Sequence, residues 1–146
     1  MKRHLLPTTL LFLASVTLGS ALFAAGEPAG PKLDLLAAYV KISAALAADN
    51  LADAKSAAAA LAGTAGAAKN QAVADQASVV AKAADLAGAR GGYKTLSLTI
   101  EPLAAGAKGY TVMFCPMANA DWVQTSGGTM NPFFGRAMLT CGVPKK

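Results

Sequence analysis

Histidine is almost missing from this 146-residue chain, and the single copy, His4, stands at the very start. Without imidazole, the rest of the chain has no ligand set for a typical catalytic zinc site or an imidazole-bound Cu(II) site. The same absence removes Cys–His and Ser–His–Asp catalysis. Aromatics are scarce at 6 %, and charged residues make up only 14 %. The basic excess is scattered, with neither a basic stripe nor stacking rings, which argues against nucleic acid as a partner. No carboxylate pair and no phosphate-cradling glycine loop stands out. The Gly88–Gly91 spacing alone carries no such assignment. Cysteine occurs twice, without the Cys-x-x-Cys spacing of thiol oxidoreductases. The expectation is a protein that is not an enzyme.

What the chain does have at its N-terminus is an export pattern. Lys2, Arg3 and His4 precede an apolar run from Leu5 to Phe23, and Ala24-Ala25-Gly26 leads into Glu27-Pro28-Ala29-Gly30. This is the basic, apolar, small-residue order of a cleavable signal peptide. The cut falls after Gly26, with Ala24 the alternative. The run is long enough to cross a bilayer, but no basic stop-transfer cluster follows it. No cysteine lies at the cut to carry a lipid. The predicted mature domain, residues 27–146, is periplasmic or secreted, has no membrane span, and is large enough for one core. Lys2, Arg3 and His4 depart with the signal, which lowers the charge from +5 to +3.

Alanine supplies nearly half of residues 37–89, and alanine is the strongest helix former. Leu35, Tyr39, Ile42 and Leu46 recur at helical spacing, widened by Leu36 and Val40. Ala48-Asp49-Asn50 breaks this helix, and Asp49 or Asn50 caps the next. Leu51, Ala54, Ala58 and Leu61 carry the second helix until Gly63-Thr64. A third is predicted from about Gly66 to Ala87, with Val73, Ala77, Val80 and Ala84 on one face and Gly88 as its C′ residue. Alanine faces bury little area, so Leu35, Tyr39, Leu46, Leu61 and Leu86 are expected to carry the core, at roughly 1.5–3 kcal/mol each when fully buried.

Residues 93–103 fit two patterns: Tyr93, Leu96, Ile100 and Leu103 match a helix, and Leu96, Leu98 and Ile100 alternate as in a strand. The helix is preferred, although Pro102 would end or kink it. Tyr110–Cys115 reads as a strand. Gly127-Gly128 and Asn131-Pro132 mark loops, and Arg136–Thr140 a short helical turn. The predicted class is mainly α: a bundle of three to four helices with a short C-terminal strand-and-loop segment packed on it.

Four of the five methionines and both cysteines fall between Met113 and Cys141. Cys115 and Met117 leave an extended segment on the same face. Met138 and Cys141 share one helical turn. If the two ends of the segment meet, two thiolates and two thioethers converge, and soft ligands of that kind select Cu(I) and the similar Ag(I). The candidate metal ligands are therefore Cys115, Met117, Met138 and Cys141. Two cysteines in an exported chain equally suggest a Cys115–Cys141 disulfide. It would close 27 residues and contribute about 3.5 kcal/mol in the chain-entropy account. Met117, Met138 and Met130 could then still hold Cu(I) by thioethers alone. Met113 reads as core, Met130 is open between core and ligand, and Trp122, Phe133 and Phe134 read as packing.

Cys115-Pro116-Met117-Ala118, Trp122, Asn131-Pro132-Phe133-Phe134-Gly135 and Met138-Leu139-Thr140-Cys141-Gly142 resemble, in order, a periplasmic domain of unknown function. That domain occurs alone or at the C-terminus of adaptor subunits of copper/silver-type heavy-metal efflux pumps. Tyr39–Ala60 and Arg90–Ser97 are also similar, so the resemblance spans nearly all of the predicted mature chain. It implies a helical bundle with a packed C-terminal strand-and-loop region, a link to heavy-metal handling, an efflux adaptor as partner, and added weight on Cys115, Met117, Met138 and Cys141. The alternative function is a disulfide-stabilised interaction domain that docks a periplasmic partner without binding metal.

Overall fold

A computed structural model describes residues 30–145. The export pattern and its cut lie outside the described residues. Four helices run in succession, α1 (Pro31–Ala47), α2 (Leu51–Ala67), α3 (Gln71–Ala81) and α4 (Leu86–Ala104). Two longer strands and a short one follow, β1 (Tyr110–Cys115), β2 (Ala120–Thr125) and β3 (Val143–Pro144), with a 3-10 turn at Gly135–Met138 before β3. Neighbouring helices pack on one another, α1 also meets α4, and β2 rests against both. The predicted class, mainly α with a small C-terminal strand segment, is the observed one. Among the described residues no helix is long and apolar enough to cross a membrane.

The first two turns repeat one device. At the end of α1, Asp49 adopts φ 59° and Asn50 N–H reaches back to the Ala45 carbonyl at 2.9 Å. At the end of α2, Lys69 adopts φ 57° and Asn70 N–H reaches the Ala65 carbonyl at 2.8 Å. Each is a Schellman ending, in which a left-handed residue turns the chain so that orphan carbonyls are satisfied. Each asparagine then caps the next helix, Asn50 accepting from Asp53 N–H and Asn70 from Val73 N–H. Asn50, of the two candidates, is the cap. The second helix does not stop at Gly63-Thr64 but continues to Ala67, and α3 starts at Gln71 rather than Gly66. Surrounding alanines offset the roughly 1 kcal/mol a helical glycine costs. Gly88 is not a C′ residue: α3 has ended at Ala81, and Gly88 N–H donates to the α4 cap Asp85 at 2.7 Å.

Residues 93–103 are helical. Pro102 falls in the last turn of α4. Its ring denies a hydrogen bond to the Leu98 carbonyl, and Leu98 is 61 % exposed, so water can serve that oxygen. Gly92 also lies inside α4, where a Cβ would press on Val79 and Val80 at 3.1–3.3 Å. Close approach of α3 and α4 requires the missing side chain.

The core contains Leu35, Tyr39, Leu46 and Leu61 as expected, together with Leu36, Ile42, Leu96, Ile100 and Trp122. Leu86 is only half-buried, because it opens α4 instead of closing α3. Tyr39 joins the bundle to the sheet. Its hydroxyl accepts from Val123 N–H at 3.4 Å and lies 2.7 Å from Ser97 Oγ, which donates to the Tyr93 carbonyl at 2.8 Å. With the Ser97 proton so committed, the Tyr39 proton goes to Ser97. Burial pushes the Tyr39 phenol up to about 12, against the lowering effect of Ser97. The edge N–H of β2 is thus satisfied by a helix side chain rather than by another strand.

The sheet order is β2-β1-β3, antiparallel throughout, with Met113 opposite Trp122 and Cys115 opposite Ala120. β2 and β3 were not foreseen in the sequence. The side chains of Met113, Cys115, Ala120, Trp122 and Gln124 share one face by register. The returning 126–142 segment lies against that face. Gln124 donates to the Gly128 carbonyl at 3.0 Å and accepts from Met130 N–H at 3.1 Å, while Phe133 meets Trp122 edge-on at 6.0 Å.

Candidate functional site

The strand and the returning segment bring the two cysteines together. Cys115, last residue of β1, and Cys141, just after the 3-10 turn, have Sγ atoms 3.4 Å apart and are both free thiols. Cys115 is closed to solvent, whereas Cys141 is partly open. The tight Pro116–Asn119 turn has Asn119 at φ 44° and its N–H on the Pro116 carbonyl at 3.2 Å. This turn aims Ala118 N–H at Cys115 Sγ, 3.4 Å away. Lys94 of α4 fixes the turn from outside by donating to the Ala118 carbonyl at 2.9 Å.

Asn131 is the residue that reading for chemistry missed. It is fully buried, and its amide N–H donates to Cys115 Sγ at 3.2 Å and to the Cys141 carbonyl at 2.6 Å. Its side-chain oxygen accepts from Phe133 N–H at 2.8 Å and Phe134 N–H at 3.3 Å. Its backbone N–H closes on the Leu139 carbonyl at 2.7 Å. One asparagine therefore ties the Cys115 sulfur, the Cys141 backbone and the loop between them. The signal was available in Asn131-Pro132, which reads as a turn but equally as a side chain with four polar valences to satisfy.

Two glycines make the approach possible. Gly135, at φ 56°, has Asp49 and Arg90 where a Cβ would go, and at Gly142 a Cβ would run into the Trp122 ring. Arg90 of α4 buckles this loop to the bundle. It pairs with Asp49 and donates to the Leu46 carbonyl at 3.0 Å and the Pro132 carbonyl at 2.9 Å. Asp49 also accepts from Arg136 N–H at 3.2 Å. The Arg90 hydrogen bond, then that from Arg136, holds the Asp49 carboxyl below its usual range.

The sulfurs are electrostatically unequal. Burial raises the Cys115 thiol, but the Ala118 N–H, the Cys141 thiol, the Asn131 amide and the Met117 N–H together bring it below the ordinary thiol range. Cys141 is raised, first by serving as hydrogen-bond partner to Cys115 and then by burial and the neighbouring charge. Cys115 is the sulfur that ionises first. The pair loses its two protons as a unit, in two steps.

Both predicted thioethers belong to the same region and both face solvent: Met117, in the turn after Cys115, is 66 % exposed, and Met138, in the 3-10 turn, 37 %. Cys141 N–H bonds to the Met138 carbonyl at 3.0 Å. Met130 is also exposed, and Met113 is core. Among the described residues no three His, Cys, Asp or Glu side chains gather as a metal-binding group. The protein donors on hand are two converging thiols, with exposed thioethers in the flanking turns.

A family described as protein of unknown function (DUF3347) matches residues 35–110. The chain belongs to that family. The DUF3347 match spans the bundle from early α1 to the first residue of β1, so the sulfur pair lies beyond it. No curated protein and no solved structure matches the chain. In this DUF3347 chain the bundle supplies Arg90, Asp49 and Lys94, which support the site from within the matched region.

Proposed function

We propose that this domain is an exported, non-enzymatic module that binds a soft ion of the Cu(I) or Ag(I) type through Cys115 and Cys141, with Met117 and Met138 as auxiliary thioether ligands. The observation that carries the reading is the 3.4 Å approach of two free thiols, one of them held by a buried amide donor. Two thiolates satisfy a two-coordinate soft ion, and N–H groups aimed at sulfur offset the negative charge that the pair keeps after binding. The basic, apolar, small-residue start of the chain supports a periplasmic or secreted site of action. The resemblance of the C-terminal motifs to domains of copper/silver efflux adaptors supports an adaptor as the partner that delivers or receives the ion.

Titration of the reduced protein with Cu(I) against a competing chelator is expected to give one ion per chain. Cys115→Ser or Cys141→Ser should abolish that binding, and replacing Met117 and Met138 together should weaken it. Absence of stoichiometric binding to the reduced protein would refute the proposal. The same sulfur proximity favours a second reading, a disulfide-closed interaction domain. A count of free thiols in protein taken directly from the exporting compartment separates the two: none, with no response to metal, supports the second.

A further inference from the structure

We propose that Cys115 and Cys141 form a reversible thiol–disulfide couple, in which the partly open Cys141 takes the oxidant and the buried Cys115 closes the bond, and that this couple gates the ion site. The couple stands on the geometry alone. The gate rests on the metal reading.

Accessibility sets the order of events. Cys115 has no exposed surface, so a disulfide arriving from solvent meets the sulfur of Cys141. A disulfide bond needs sulfurs about 2.05 Å apart. The present 3.4 Å separation leaves about 1.4 Å for the two sulfurs to close. With a low-molecular-weight disulfide as oxidant, Cys141 gives up its proton and attacks one of the oxidant's sulfurs, because the Cys115 sulfur, though the first to ionise, is closed to solvent. The reagent's S–S bond breaks, and one thiolate leaves and takes up the Cys141 proton from solvent. The Cys115 thiolate then attacks the Cys141 sulfur and expels the second thiol, which takes the remaining proton. Two protein thiols are oxidised by two electrons and one disulfide is reduced to two thiols.

The surroundings favour the return step. Ala118 N–H and the Asn131 amide both donate to Cys115 Sγ. A thiolate accepts such bonds strongly and a disulfide sulfur weakly, so the donors stabilise the reduced state over the oxidised one. When an external thiol attacks the partly open Cys141 sulfur, Cys115 leaves as a thiolate into donors already in place, and a stabilised leaving group departs faster. The bond is accordingly exchangeable, unlike a permanent staple. Once formed, it consumes both thiolates and closes the ion site.

Oxidised glutathione added to the reduced protein, followed by intact mass, tests the order. The wild type should lose two hydrogens without accumulating an adduct. Cys115→Ser should gain one glutathionyl group, and Cys141→Ser should stay unmodified over the same period, with unchanged circular dichroism in both variants. Equal adduct formation in the two variants overturns the proposal. So does a wild-type disulfide that reduced glutathione cannot reopen. Asn131→Asp keeps the oxygen that holds Phe133 and Phe134 but loses the donor to sulfur. It should shift the thiol–disulfide equilibrium roughly tenfold toward the disulfide. Cu(I) binding is measured separately, against a thiol-free chelator, on reduced and oxidised protein. Loss of binding on oxidation is expected. Binding to neither form removes the ion reading and its gate while leaving the couple standing, and equal binding to both removes the gate.

Discussion

Tyr39 does at the scale of one side chain what an extra strand would do elsewhere. Its ring stacks on Tyr93 at 5.1 Å, and its hydroxyl covers the edge N–H of Val123. Tyr39→Phe keeps the stack and deletes the acceptor, leaving a buried donor unpaired. The expected cost is about 1–3 kcal/mol in denaturant unfolding, with the fold retained. The phenol also sets an alkaline limit. Its folded-state pKa, about 12, lies above the ordinary value of 10.0, so the folded protein holds the proton more tightly. That stability is complete below about pH 10 and falls as pH rises towards 12. Tyr93 is shifted in the same direction, mainly by burial. Absorbance titration should find the buried phenols ionising together with unfolding. Tyr39→Phe should show a shallower loss between pH 10 and 12.

Elements were legible in the sequence to the extent that their signals were local. The α1 stripe of Leu35, Tyr39, Ile42 and Leu46 was plain because each member is large and buried, and the Asp49-Asn50 break was plain because polar caps stand out in an alanine-rich run. Gly63 and Gly88 misled. The α2 ending falls to Lys69, which takes the positive φ itself, and α3 ends at Ala81 with Lys82 at φ -94° and no left-handed residue. β2 was illegible because Ala120-Asp121-Trp122-Val123 becomes a strand only by pairing with β1 and being covered by α1 and α4. At the site, the sequence picked out Cys115 and Cys141 but left their meeting a condition, and it gave no sign of the role of Asn131, which depends on long-range closure. The repeated Asn caps give a prediction at this scale. Asn50→Ala and Asn70→Ala should each cost about 1 kcal/mol of stability. They flank opposite ends of α2, which at 1.5 Å per residue are about 25 Å apart. The double variant should therefore show additive loss in denaturant titration, and coupling beyond about 0.5 kcal/mol would contradict independent capping.

Across the whole molecule, a polar buckle helps join the family-matched bundle to the sulfur segment. Arg90 of α4 ties the α1–α2 turn, through Asp49 and the Leu46 carbonyl, to the loop that carries Asn131, through the Pro132 carbonyl. Asp49 adds a bond from Arg136 N–H, and Gly135 has no side chain because this ion pair occupies its place. The carboxylate form is what binds. Because the folded-state pKa of Asp49 is lowered, first by Arg90, its contribution is present above the unfolded value of about 4 and is lost as pH falls through the folded one. Asp49→Asn should lower stability at neutral pH, and the gap to wild type should narrow below about pH 4. The loosening should also be local before it is global. In hydrogen exchange at neutral pH, the Arg136 and Gly135 amides of the variant should lose protection, while amides inside α1 and α4 keep theirs. Uniform loss across the bundle would mean that Asp49 stabilises the helices generally. A loss confined to the loop would place the buckle where the sulfur pair needs it, between a rigid scaffold and the segment that brings Cys141 to Cys115.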